Sequence, residues 1–195
     1  MPDIKHFDPD AALEQVERLF WQRGAAATSI QDVAAATGLN RSSLYATFGD
    51  KQRLYRAALS RYLRERATPA SRALAADTRG LPAVREFFDG LIDVRCSGEF
   101  AGWGCMVVNA NAGTERLDPE VRRLLDTHHR DLRDALAQAL KHARTLGHLR
   151  PGVDPEPTAN TLALLAYGVN LRSRAGADAG ELRKTVAGTL DSLAT

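Results

Sequence analysis

One short segment carries hydrogen-bonding side chains of the kind that bind DNA. It contains an arginine, hydroxyls and a phenol but no carboxylate: Arg41, Ser42, Ser43, Tyr45 and Thr47. Arginine can make paired hydrogen bonds to guanine, hydroxyl groups can bind bases or phosphates, and a tyrosine can bond a phosphate while its ring packs on a sugar. The pattern predicts a DNA-reading surface on which Arg41 is the main base-reading residue.

A helix-turn-helix over residues 29–48 would position this surface. Ser29 can cap its first helix, Gly38 breaks the chain, and Asn40 can cap a short second helix. A connection of four residues beginning at Thr37 allows the steep crossing angle with which the second helix of such a motif enters the major groove.

Phosphate contacts are expected where helices begin, because free N–H groups and the positive end of the helix dipole attract anions. Thr28 and Ser29 start one helix, and Lys51 starts another. Basic residues continue beyond Lys51, and exposed charge runs usually solvate a helix face. We assign the following three to such a face: Arg61, Arg64 and Arg66.

Composition sets wider limits on the class of protein. The chain has 195 residues, 44% of them hydrophobic, which suffices for one ordinary domain or for a small domain joined to a larger one. A net charge of +2 is too mild to indicate nucleic acid by itself. Two cysteines make no disulfide framework, and the chain shows neither a leader nor an apolar run long enough to span a bilayer. We therefore expect a soluble, cytoplasmic protein.

The periodicity predicts an all-α chain, since apolar residues recur at three- and four-residue spacing and strand-like alternation is nearly absent. After the helix-turn-helix, a connector helix from Lys51 towards Ala75 should bend near Thr68, because Pro69 follows. We place the domain boundary in this connector, giving a DNA-binding head over 1–66 and a body over 67–195. Further helices are predicted over 82–96, 105–112, 158–172 and 178–193. Two more are predicted over 9–22, capped by Asp8, and over 119–146, capped by Asp118.

The N-terminal third resembles the signature of tetracycline-repressor-like (TetR family) regulators. The matching residues are Thr28-Ser29-Ile30, Val33-Ala34, Gly38-Leu39, Leu44-Tyr45, Phe48 and Lys51. Thr47 departs from it, because the family usually carries histidine or tyrosine there. The resemblance implies an all-α homodimer that binds a palindromic double-stranded DNA operator, most often as a repressor. It also implies a body that binds a small molecule and dimerises through its last two helices.

Within the body, the resemblance implies an effector cavity lined by aromatic, apolar and polar side chains. Core packing is the alternative for each of them, since such side chains at helical spacing usually fill volume. The amide of Asn109, in an otherwise apolar helix, needs a hydrogen-bond partner. The candidates are Phe87, Phe88, Leu91, Trp103, Cys105, Met106, Asn109, His128 and Tyr167.

Cys105 allows a more specific hypothesis. The segment Gly104–Asn109 is similar to a stretch in a family branch that includes repressors of reactive electrophiles, and thiols at helix N-termini can be nucleophilic. A quinone or aldehyde that modifies Cys105 would then release DNA, so that the effector is apolar or electrophilic. The alternative is an inert, buried cysteine. His128 and His129 point about 100° apart on a helix without a third ligand nearby, so we predict no metal and no cofactor.

The last two predicted helices carry long apolar stripes. A four-helix bundle formed by two copies would cover these stripes. The predicted dimer residues are Leu162, Leu165, Val169, Leu182, Val186 and Leu190.

Two other classes of function compete with a DNA-binding regulator. An enzyme is disfavoured because the sequence lacks a catalytic triad order, a phosphate-binding glycine loop and a metal spacing. A helical protein-interaction module, or a small-molecule-binding protein without an operator, stays open as the alternative to a DNA-binding regulator.

Overall fold

The computed structural model describes residues 7–195, and within that range the chain is all-α, as predicted. A single isolated β-bridge joins Leu149 to Ala194 in these residues. The ten α-helices are α1 (Pro9–Arg23), α2 (Ile30–Thr37), α3 (Arg41–Phe48), α4 (Lys51–Tyr62), α5 (Thr68–Ala76), α6 (Leu81–Cys96), α7 (Met106–Ala112), α8 (Pro119–Thr145), α9 (Pro155–Arg174) and α10 (Ala179–Asp191).

The head begins and ends its helices at the predicted caps. The Asp8 carboxylate accepts a hydrogen bond from the backbone of α1, and Ser29 and Asp32 form a reciprocal capping box at the start of α2. Gly38 takes the left-handed conformation at φ 69°, which a side chain would disfavour, and Asn40 caps α3. These local interactions fix the two helices of the motif at residues 30–37 and 41–48.

The regular α-helical hydrogen bonding of the connector between head and body is interrupted earlier than predicted. A π-helical turn over Leu63–Ala67 separates α4 from α5, whereas we expected the bend near Thr68. Pro69 instead lies in the first turn of α5, where its missing N–H is not required for a helical hydrogen bond. The proline therefore starts a helix and does not kink one.

In the body, one helix boundary differs from the prediction, and one short turn was not predicted. Helix α9 begins at Pro155, three residues before the predicted start, because Asp154 caps it and proline is well suited to the first helical position. A 3₁₀ turn over Thr114–Leu117 precedes α8.

The helices enclose two apolar cores. The body core is built from α5, α6, α8, α9 and α10, and the head core from α1 to α4. Helix α7 and the first turns of α8 complete the head core, through Met106, Val107, Val121 and Leu125. The head therefore packs directly on the body.

Polar contacts reinforce this junction. The indole Nε1 of Trp21 donates to the carbonyl of Gly104 over 3.0 Å, and the backbone N–H of Ala25 donates to Glu115 over 2.9 Å. Arg56 donates to Asp118, the cap of α8, over 2.9 Å. Hydrogen bonds as well as apolar packing therefore join the head to the body.

Helix α1 is fastened to the connector by one buried carboxylate. Glu17 is fully buried and accepts hydrogen bonds of 2.6 Å each from Arg61 and Arg66. Our assignment of these two arginines to a solvated face was wrong, because a buried carboxylate requires nearby cations. Arg64 is exposed and pairs with its neighbour Glu65.

We expect Glu17→Gln to lower the free energy of unfolding by about 3 kcal/mol, because it leaves two partly buried guanidinium groups without their anion. Urea denaturation followed by circular dichroism measures this change. Glu65→Gln, which removes only the exposed pair with Arg64, is the matched control and should stay within about 0.5 kcal/mol of wild type. Equal effects of the two substitutions would contradict the importance of the buried pair.

A buried histidine makes stability depend on pH. His128 of α8 is 9% exposed, and burial lowers its pKa to about 4, although Asp131 acts in the opposite direction. Since the unfolded histidine has a pKa of about 6.5, the unfolded chain takes up a proton between these values that the folded chain does not. The contribution of neutral His128 to the free energy of unfolding is therefore fully present above pH 6.5 and is lost as the pH decreases towards 4.

We expect this loss to reach about 3 kcal/mol at the acid end of that window. His128→Phe and His128→Gln remove the titrating group with different side-chain polarity, and both should flatten this part of the stability profile. Urea titrations at several pH values test the expectation. A wild-type slope in both variants would show that another group is responsible.

None of the helices within residues 7–195 is long and apolar enough to cross a membrane.

Candidate DNA-binding surface and effector region

Helix α3 presents the predicted DNA-reading side chains outward. Arg41, Ser42 and Tyr45 are exposed, while Ser43 and Thr47 are half-buried. No carboxylate among residues 7–195 forms an ion pair with Arg41, so its donors remain available. The eight residues of α3 span roughly 12 Å, a length that the major groove can accept.

The opposite side of α3 is anchored in the head core. Leu44 is only 1% exposed, and Leu39 and Phe48 pack against the same cluster. At the start of the helix, the Asn40 side chain accepts the backbone N–H of Ser43 over 2.8 Å. This anchoring leaves the polar face rigidly directed away from the core.

The predicted phosphate contacts have different outcomes. Lys51 occupies the first position of α4, as expected, beside the capping carboxylate of Asp50. Thr28 was wrongly predicted, since it is 1% exposed and its hydroxyl donates to the carbonyl of Gly24 over 2.7 Å. Ser29 is exposed, but its hydroxyl is used within the capping box with Asp32.

The predicted effector residues do not line one common cavity. Phe87 and Leu91 line a groove between α5 and α6, whereas Met106 and Asn109 line a separate recess beside α1. Phe88, Cys105 and His128 are buried, so the alternative of core packing applies to them. Trp103 is half-buried and stacks edge-on against Trp21, and Tyr167 is half-buried between the two cores.

Two polar groups of this set have opposite environments. The Asn109 amide donates to the backbone carbonyls of Trp103 over 3.0 Å and Trp21 over 3.4 Å, so it needs no ligand. The Tyr167 hydroxyl is buried without a hydrogen-bond partner among the described residues, and burial raises its pKa to about 12. Its ring packs edge-on against His129.

Cys105 lies in a buried polar cluster that the sequence did not reveal. It is 4% exposed, and its sulfur accepts a hydrogen bond of 3.4 Å from the Tyr62 hydroxyl. Arg95 donates to Tyr62 over 3.0 Å and to Asn170 over 2.6 Å. A reagent could reach this thiol only after local opening of the core, and the electrophile hypothesis stays a prediction.

Arg95 is the functional candidate that we missed, and a signal for it was present. Val84, Phe88 and Ile92 follow the four-residue spacing of the buried face of α6, and position 95 continues that face. An arginine at such a position is 8% exposed here. A charged residue in register with an apolar stripe therefore marks a polar interior.

The groove between α5 and α6, hereafter the α5–α6 groove, has a volume of about 360 Å³. Arg66 and Arg95 lie at one end of it, and Asp77 lies at the other, near the loop that joins the two helices. Leu74, Phe87 and Leu91 form much of the wall between these ends.

The predicted dimer residues require a correction. Five of the six have side chains within the subunit's own body core, and Leu165 packs partly against it. The stripes on α9 and α10 are covered by α6 and α8 of the same chain, so they cannot also face a second copy. The buried five are Leu162, Val169, Leu182, Val186 and Leu190.

Residues 7–195 contain no group of three or more His, Cys, Asp or Glu side chains arranged to hold a metal ion.

Comparison with known families and proteins agrees with this geometry. Residues 12–58 match the family model of bacterial regulatory proteins of the tetR family, which covers most of α1, all of α2 and α3, and most of α4. Residues 80–189 match the model of the tetracyclin repressor-like C-terminal domain, which covers most of the body. The two models thus match the head and the body in the expected order.

Individual proteins are similar over nearly the whole chain. The HTH-type transcriptional repressor ComR of Escherichia coli (strain K12) is 30% identical over 95% of this chain and 88% of its own length. A cysteine mutant of the TetR family regulator CifR, solved with a 26-base-pair operator DNA, is 25% identical with a TM-score of 0.85, covering 98% of this chain and 99% of CifR. Reduced E. coli NemR shares the fold at 22% identity and a TM-score of 0.79, over 95% and 97% of the two chains.

Both halves of the chain match TetR-type models, and nearly the whole chain is similar to a curated repressor, so the protein belongs to the TetR family of bacterial transcriptional regulators.

Proposed function

We propose that this protein is a cytoplasmic repressor that binds a palindromic operator as a homodimer and is released when a small molecule binds its body. The observation that carries the proposal is the exposed, acid-free face of α3 on a rigidly capped helix-turn-helix. A two-fold dimer would set two such helices roughly 34–36 Å apart, about one turn of DNA. We propose no catalytic role, since the similar proteins are regulators.

Substitutions at Arg41 and Lys51 should have different effects on DNA binding, because one residue is proposed to read a base and the other to bind a phosphate. Arg41→Ala should cost about 1–3 kcal/mol of operator affinity and relax selectivity at one base position, because it removes paired hydrogen bonds to a base edge. Lys51→Ala should weaken binding to all sequences alike and reduce the salt slope by about 1, since one fewer counterion is released.

Selection of bound sites from random DNA, followed by anisotropy titrations at several salt concentrations, measures both effects. Arg72→Ala removes an exposed arginine of α5 in the body and is the matched control, with no change expected. Unchanged selectivity of Arg41→Ala would refute base reading by this residue. Salt-independent binding of the wild type would instead favour the protein-interaction alternative.

The exposed side of α9 supports a dimer surface in place of the predicted stripe. Leu164 and Leu171 are 64% and 55% exposed, and their seven-residue spacing puts them on one face of the helix. Gly168 lies between them on that face and allows a close approach of a second helix. On α10, Gly188 offers similar space.

We expect Leu164→Glu to yield monomers, because the substitution would bury two carboxylates near the two-fold axis of an isologous interface. Light scattering at micromolar concentration measures the mass. Leu117→Glu is the matched control, since Leu117 is 82% exposed but lies on the 3₁₀ turn, and it should remain dimeric. A dimeric Leu164→Glu protein with wild-type affinity would exclude this face.

Contacts between α9 and the head support a route from the body to DNA. Arg174, in the last turn of α9, donates to the carbonyl of Gln22 over 3.2 Å and to that of Trp103 over 3.0 Å. It thus bridges the end of α1 and the segment before α7. A ligand that shifts the body helices would move α1 through this bridge and change the separation of the two recognition helices.

A further inference from the structure

Arg95 lacks the anion that a buried guanidinium normally requires. It is 8% exposed, and none of the carboxylates in residues 7–195 forms an ion pair with it. Its neighbours are the Tyr62 hydroxyl, the Asn170 amide, the Cys105 sulfur and the face of Trp21, 5.6 Å away, and none of these is a carboxylate. Burying an unpaired charge is costly, so an arrangement of this kind indicates a place for an anionic ligand.

An arginine guanidinium carries five N–H donors, more than its neighbours use here. Hydrogen bonds from Nε to Asn170 and from Nη2 to Tyr62 use two of them, and the Cys105 sulfur is a further neighbour, so donors remain for a ligand. The two bonds also fix the orientation of the guanidinium group. A fixed guanidinium loses little freedom when it binds a carboxylate, and charge-assisted bonds of this type are strong.

The α5–α6 groove provides an apolar extension from this charge. Arg66 lies at the same end as Arg95, and the wall beyond them is largely hydrocarbon. The carboxylates at the other end, Asp77 and Glu86, are both paired with Arg79. The groove is thus cationic at one end and apolar along its length, and its volume of about 360 Å³ lies within the range of small-molecule sites.

We propose that the α5–α6 groove binds an apolar monocarboxylate, with the carboxylate on Arg95 and Arg66 and the hydrocarbon body against Phe87 and Leu91. The site itself stands independently of DNA, and its role as the effector site rests on the proposed function. Arg66 gives that role a physical basis, because its Nε already donates to the buried Glu17 of α1 over 2.6 Å. A ligand carboxylate beside Arg66 competes for this guanidinium and loosens the fastening of the head.

Octanoate and 4-phenylbutanoate are suitable probes, since both join one carboxylate to an apolar body, and 1-octanol is the neutral comparison. Isothermal calorimetry on the full-length protein without DNA should give saturable binding of at least one acid and much weaker binding of the alcohol. Arg95→Gln should weaken binding of the acid by about tenfold or more. A Kd above about 1 mM for both acids, or equal binding of acid and alcohol, would overturn the proposal.

Two tryptophan substitutions test the location without disturbing buried residues. Ala73 and Ala76 are both exposed on α5, but only Ala73 lines the groove. Ala73→Trp should abolish binding of the acid, while Ala76→Trp should bind it as the wild type does, and both should keep the wild-type melting temperature. Acid binding that survives Ala73→Trp would contradict the groove as the site.

Operator binding then separates the two hypotheses. In the wild type, the acid that binds should raise the Kd for the selected operator at least about fivefold, with no such response in Ala73→Trp. If the protein binds the acid but no DNA sequence selectively, the proposed repressor function fails and the groove site stands. If it binds the operator but neither acid, the groove inference fails alone.

Discussion

The rest of the structure depends on the burial of one carboxylate. Glu17 lies where α1 meets the connector, and the ion pairs with Arg61 and Arg66 neutralise it. A fully buried charge cannot exchange its partners for water at low cost, so these three side chains hold a single arrangement. Helices α2 and α3 pack on α1 in the head core, so the ion pairs of Glu17 also determine the direction of the recognition helix α3. Arg66 also stacks on Phe100 at 4.6 Å and thereby links this constraint to the body.

The fold could be predicted where its signals are local. Asp8, Ser29, Asn40 and Asp118 cap helices that begin where the sequence indicates, because a cap interacts only with the next few residues. The position of the π-helical turn could not be predicted, since Pro69 indicates only that the regular helical hydrogen bonding is interrupted nearby. The early start of α9 was a missed local signal, for a proline directly after an aspartate suits the first turn.

The candidate site also combines residues that local signals predict with residues whose roles depend on distant neighbours. The outward face of α3 was predictable, because a short helix with one apolar side can turn only the other side to solvent. The roles of Phe87, Met106 and Leu162 were not, since an apolar stripe does not specify which neighbour covers it. Arg95 shows that a charge in register with such a stripe is informative even before its partners are known.

The π-helical turn has a geometrical consequence for this arrangement. Residues five apart on a regular α-helix, at about 100° per residue, point roughly 140° away from each other, so Arg61 and Arg66 would lie on different sides of the connector. A π turn closes over five residues instead of four and brings them towards the same side. The extra residue between Tyr62 and Thr68 is thus what lets two arginines converge on one carboxylate. Chain length at this point is therefore constrained as strictly as the identity of Arg66: the loss of one residue would turn Arg66 away from Glu17 even if every side chain were kept.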